Sequence, residues 1–132
     1  MAGDVDNTPG RAYSDTELLQ HNQTALEELR NALRLSQGEF SFIALACDYH
    51  RLRHLVNRDL VDSGLAEVLQ LPQQFLNLRE IIQAYAADHR PPALLIVGLD
   101  YLTPTDLQAV LRATNMGRDD FRQQFPFPIA FW

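Results

Sequence analysis

Ala93-Leu94-Leu95-Ile96-Val97 runs through five apolar residues and closes on Gly98-Leu99-Asp100. A run this short, with no polar alternation and with Pro91-Pro92 before it, predicts a strand over 93–99 that is covered on both faces. A helix start comes next. In Thr103-Pro104-Thr105-Asp106 a hydroxyl stands at the N-cap, proline in the first turn and an acid at the third position, facing the helix dipole. Leu107, Val110, Leu111, Met116 and Phe121 are the apolar positions expected on that helix.

Working outward, the same alternation repeats. Pro126-Phe127-Pro128-Ile129-Ala130-Phe131-Trp132 reads as a fourth strand, and Ala66 to Leu71 as a second. Pro72 is expected to open a helix whose apolar positions are Phe75, Leu76, Leu78, Ile81, Ile82 and Tyr85. Phe40 to Cys47 predicts a first strand in the centre of the sheet, followed by Asp48 as N-cap of a helix carrying Leu52, Leu55, Val56, Leu60 and Val61. Ser14 and Glu17 form a capping box, and the periodic leucines from Leu18 to Leu35 predict one amphipathic helix from Ser14 to Ser36, with Gly38 as its stop. Residues 1–13 have almost no apolar anchor and read as a disordered leader before a single domain over 14–132. Strands alternating with helices imply an α/β protein, a three-layer α/β/α sandwich around a mainly parallel sheet of about four strands. Ending inside an aromatic strand predicts that the fold is incomplete at its C-terminus.

Composition limits the function classes. The chain has 132 residues, 46% of them hydrophobic, enough for one sizeable core. Its 11 cations are all arginines against 17 acids, a net charge of -6 that disfavours nucleic acid and anionic membrane surfaces as partners. One cysteine cannot form an internal disulfide, and the first residues have no secretion signal, which predicts a cytoplasmic protein. No apolar run approaches the roughly 20 residues that span a bilayer.

In parallel α/β sheets ligands sit at the carboxyl ends of the strands, so Cys47 to His50 and Asp100 to Thr103 are the segments to weigh. An apolar strand ending in an acid is the Walker-B-like arrangement that places a carboxylate beside Mg²⁺ in nucleotide hydrolases, which makes Asp100 a candidate cofactor-binding residue. The partner motif, a Gly-Lys-Ser/Thr phosphate loop, belongs after the first strand. Leu45-Ala46-Cys47-Asp48-Tyr49-His50-Arg51-Leu52-Arg53 stands there instead, with neither glycine nor lysine, and Asp48 at the loop position would meet phosphates with a like charge. Arg51 and Arg53 are expected to cap, to pair with acids or to face water. Cys47, His50 and His54, spaced i, i+3, i+7, could stack metal or nucleophile groups on a helical face, but a small buried thiol and two surface histidines is the simpler reading. Asp119 and Asp120 beside Arg118 and Arg122 read as a solvated helix face, and Phe121, Phe125, Phe127, Phe131 and Trp132 as core, with some rings exposed at a sheet edge if the chain ends at Trp132.

Three further features occur in one order: Gln37-Gly38-Glu39-Phe40-Ser41-Phe42, then Thr114-Asn115 with Arg118-Asp119-Asp120-Phe121, then Phe125-Pro126-Phe127-Pro128-Ile129-Ala130-Phe131-Trp132. Together with the strand ending Gly98-Leu99-Asp100, this series resembles the STAND-type P-loop ATPase modules of bacterial signalling proteins over about residues 15–132. The resemblance implies a P-loop NTPase-like sheet of five strands, the last not included here. With its degenerate Walker A loop the chain is similar to the inactive variant, a pseudo-ATPase. That implies a non-catalytic regulatory or scaffolding module without a cofactor, acting through protein–protein interaction with protein partners or a C-terminal repeat or effector region. Two alternatives stay open: an ATP/Mg-binding ATPase domain with a non-standard phosphate loop and Asp100 as its metal acid, and a receiver-like phosphoacceptor using Asp48 and Asp100. The missing lysine weighs against the second.

Overall fold

The computed structural model describes residues 14–47, 49–75 and 77–132. The expected leader over 1–13, the Asp48 cap and the Leu76 contact lie outside the described residues. Along the chain stand α1 (Asp15–His21), α2 (Gln23–Leu35), β1 (Ser41–Ala44), α3 (His50–Asp62), β2 (Glu67–Gln70), α4 (Leu78–Tyr85), β3 (Leu94–Val97), α5 (Pro104–Met116), α6 (Arg118–Gln124) and β4 (Pro128–Phe131), with a short 3₁₀ turn over Leu99–Tyr101. The four strands form one parallel sheet in the order β1-β4-β3-β2.

That order follows from the handedness of parallel crossovers. The chain runs from β1 across to β2, then steps back through β3 to β4, and reversing direction with right-handed connections puts helices on opposite faces. Alternating side chains record the split. Leu94, Ile96 and Ile129 point into a core with Leu78 and Ile82 of α4, Val110 of α5 and Phe121 of α6. Leu95 and Ala130 point the other way, against Leu26 and Leu33 of α2 and Val56 and Leu60 of α3. The result is a three-layer α/β/α sandwich. Leu94, Leu95, Ile96 and Ile129 are no more than 1% exposed, and each such burial contributes about 2–3 kcal/mol.

Several local expectations hold to the atom. The Ser14 hydroxyl accepts from Glu17 N–H at 3.2 Å while the Glu17 carboxylate accepts from Ser14 N–H at 3.0 Å. Thr103 Oγ1 caps α5 by accepting from Asp106 N–H at 3.1 Å, with Pro104 at the first helical position.

Others are corrected. The single helix over Ser14–Ser36 is two helices, because Asn22 takes φ -112° and ψ 17° and its side-chain amide donates to Leu18 C=O at 2.9 Å, competing with the backbone ladder. β1 is an edge strand, not a central one; β4 lies between it and β3. The terminal aromatic strand is therefore interior, and its rings do not stand at a sheet edge. Pro72 opens no helix: α4 begins six residues later, where the Asn77 side chain accepts from Glu80 N–H. Phe121 belongs to α6, a separate helix beyond Gly117, and it is 2% exposed. Leu111 and Met116 are exposed on α5 rather than buried.

The helical layer of α1, α2 and α3 is pinned by charge as well as packing. Arg30 of α2 grips Asp59 of α3 in a forked contact, Nε to Oδ2 at 3.0 Å and Nη2 to Oδ1 at 2.7 Å. Arg51 Nε donates to Asp15 Oδ1 at 2.7 Å and ties α3 to α1. No helix among the described residues is long and apolar enough to cross a membrane.

Candidate functional site

The carboxyl end of a parallel sheet gathers the turns that leave its strands, and a crevice forms where neighbouring connections depart toward opposite faces. Here β1 leads to α3 on one face and β3 leads to α5 on the other, with β4 ending between them. Three segments meet at that rim: Leu45 to Cys47 with Tyr49 to Arg53, Gly98 to Thr103, and Trp132.

Gly98 makes the turn after β3. Its φ is +112°, a region side chains avoid, and an added Cβ would stand 2.8 Å from Gln70 Nε2. The reversal permits the 3₁₀ turn that carries Asp100, whose side chain is 39% exposed. Opposite it, α3 begins at His50 with Tyr49 as N-cap, and no side chain among the described residues caps it.

Arg53 joins these pieces. Its Nε donates to Cys47 C=O at 2.6 Å, closing the β1–α3 turn onto the first turn of α3. Its Nη1 donates to Asp100 Oδ2 at 3.3 Å, and its guanidinium carbon lies 5.9 Å from the centre of the Trp132 ring, within cation–π range. One turn along α3, Asn57 is 9% exposed, and its Oδ1 accepts from Trp132 Nε1 at 3.0 Å. The acid beyond β3, the carbonyl of the turn and the Trp132 ring just after β4 are thus held by two side chains of a single helix face. Between Gly38 and Gly64 no glycine lets backbone N–H groups converge on a phosphate. On the side where Arg53 meets Asp100, the carboxylate faces a permanent cation of the chain itself.

The other residues singled out are scattered. Cys47 lies in the turn before α3, half-buried, with Sγ 3.5 Å from Tyr49 C=O, so the i, i+3, i+7 set does not share one helical face; His50 and His54 are exposed. Among the described residues no group of three or more His, Cys, Asp or Glu is placed to hold a metal ion. Asp119 and Asp120 sit on the exposed side of α6, where Asp119 lies 3.8 Å from Arg122 and Asp120 lies 4.0 Å from Arg79. From the sequence Arg53 is expected to cap, to pair with an acid or to face water, with no partner named, and Asn57 is not among the candidates. A signal for Asn57 is nonetheless present, a polar residue inside the buried run Leu55-Val56-Asn57. The signal for Arg53 is its four-residue spacing from Asn57, which puts both on one face of α3.

Comparison with protein-family models, with curated proteins and with solved structures gives no match to this chain. The molecule is therefore defined by its own fold and rim. It is an α/β protein with a parallel four-stranded sheet, and it carries an internally paired acid at the place where such sheets bind ligands.

Proposed function

We propose that the chain is a non-catalytic module of the P-loop NTPase-like, inactive STAND type, which acts by binding other proteins. The observation that carries this reading is Arg53, which donates to Cys47 C=O and to Asp100 in the same rim. An acid that serves a metal must be free to take it; here the acid is paired within the chain, and the turn that would cradle phosphate is closed by the same guanidinium. The apolar cleft beside Trp132, lined by Ala25, Leu26, Leu29, Leu52 and Val56, has a volume of about 140 Å³. That is room for a side chain and well short of the roughly 300 Å³ at which small-molecule sites begin. The strand order, with β1 and Asp100 on the same carboxyl rim, supports the P-loop-like part of the reading, and the resemblance of the terminal motifs supports the STAND part.

A second reading, nucleotide binding through Asp100, is favoured by that residue's position on the rim and its 39% exposure. Calorimetric titration of Mg·ATP and Mg·ADP against the chain separates the two. The expected outcome is no saturable heat at millimolar nucleotide, for the wild type and Asp100→Ala alike. Micromolar binding that Asp100→Ala abolishes would replace the proposed function with the second.

A further inference from the structure

The amino end of the sheet carries a second polar constellation, unrelated to the rim at the other end. Glu67 is the first residue of β2, and β2 is an edge strand, so its start has a neighbour on one side only. Tyr85 is the last residue of α4, and His89 lies in the connection that leads through Pro91-Pro92 into β3. All three meet at one atom. Tyr85 O–H donates to Glu67 Oε1 at 2.6 Å, and His89 Nε2 is 2.7 Å from the same oxygen, with the two rings packed edge to face at 5.3 Å. Three elements that are separate in the chain are fastened at a single carboxylate.

Two of the three groups keep one charge state where histidines ordinarily titrate. The hydrogen bond from Tyr85, then that from His89, holds the Glu67 carboxyl below its ordinary range, so it stays ionised wherever histidines titrate. Burial first, then the bond to Glu67, pushes Tyr85 up to about 12, so it stays protonated there. Histidine is the side chain that ordinarily changes charge between pH 5 and 8. With neutral imidazole the contact to Glu67 is a hydrogen bond; with imidazolium it becomes an ion pair of the same geometry, which is stronger. The charged surroundings are few. Asp88 and Arg90 flank His89 in its own connection, Gln124 of α6 lines the same groove without charge, and His54, Arg58 and Asp62 of α3 line the groove that Glu67 borders. Arg58 and Asp62 face each other at 4.0 Å.

We infer that Glu67, Tyr85 and His89 form a proton-sensitive latch, which fastens the edge strand β2 to the α4–β3 connection more firmly in mild acid than at neutral pH. The sign comes from the contact itself: as pH falls from 8 toward 5.5 an ion pair to an ionised carboxylate replaces a neutral hydrogen bond at 2.7 Å, so the contact strengthens.

Thermal unfolding of the whole chain at pH 5.5 and 8.0 tests it, with His89→Gln, Glu67→Gln and His54→Gln alongside the wild type. Relative to His89→Gln, the wild type is expected to gain about 2–4 °C in Tm on going from pH 8.0 to 5.5. Glu67→Gln is expected to lose that increment and His54→Gln to keep it. A His89→Gln protein whose Tm tracks the wild type in parallel at both pH values overturns the latch, as does loss of the increment in His54→Gln alone. Amide exchange on the wild type and His89→Gln needs no further variant to fold. Protection of the Glu67 and Leu71 amides, which donate to Ala93 C=O at 2.9 Å and Val97 C=O at 2.8 Å, should rise at the lower pH in the wild type only after correction for intrinsic rate; equal protection in both proteins overturns the inference.

Discussion

The two ends of the sheet solve the same electrostatic problem with different cations. At the carboxyl end Asp100 is met by Arg53 at 3.3 Å, and at the amino end Glu67 is met by Tyr85 and His89 at 2.6 and 2.7 Å. A guanidinium keeps its charge at any pH a protein survives, whereas an imidazole does not. The cation of the carboxyl rim is therefore fixed, while that of the amino rim answers to protons. The carboxyl rim is also built around a buried partner, Asn57 with Trp132, so its disruption costs more than its longer ion-pair distance implies.

Removing the indole is the most damaging way to break the comparison. Trp132→Ala deletes a half-buried ring and leaves the Asn57 carbonyl unpaired, and urea unfolding should show a loss of about 3 kcal/mol. Arg53→Leu comes next, since it unpairs Cys47 C=O and Asp100 together; about 1–2 kcal/mol should be lost, by the same amount at pH 5.5 and 8.0. A pH-dependent loss in Arg53→Leu would erase the contrast between the rims. At the amino rim Glu67→Gln should cost about 0.5–1 kcal/mol at neutral pH, since side chains 34% and 44% exposed are screened by water. The carboxyl of Glu67 is held low in the fold, so its contribution is present above the ordinary carboxylate range and disappears as pH falls through its lowered value. Tyr85 supplies the opposite limb. Its value is raised to about 12, so the stability it adds over Tyr85→Phe holds below its ordinary pH 10 and is lost as pH climbs through about 12, which denaturant midpoints across that interval would display. The smallest effect belongs to neither rim: Arg122→Ala, whose partner Asp119 is 90% exposed, should change stability by no more than about 0.5 kcal/mol.

The capping residues are legible because a cap is a contact between neighbours in sequence. Ser14 with Glu17 and Thr103 with Asp106 span three residues each, and their atoms meet as the spacing implies. Strand β3 is legible because Leu94 to Val97 has no polar side to expose. The bend at Asn22 is not, because the leucine spacing on either side continues through it, and periodicity does not register a side chain that competes with the backbone. Pro72 misleads because proline suits a first helical turn and a loop equally well.

By itself, then, the order of residues determined the alternation of strands and helices, the parallel sandwich and the absence of glycine and lysine from the turn after β1, all of which rest on patterns within a few residues of one another. Only the tertiary structure decided that β1 lies at an edge with β4 inside, that Arg53 finds Asp100 across 47 positions, and that Glu67, Tyr85 and His89 share one oxygen. The physical reason is the same in each case. Strand order and long-range pairing depend on which faces two crossovers bury together, and no local propensity encodes that choice.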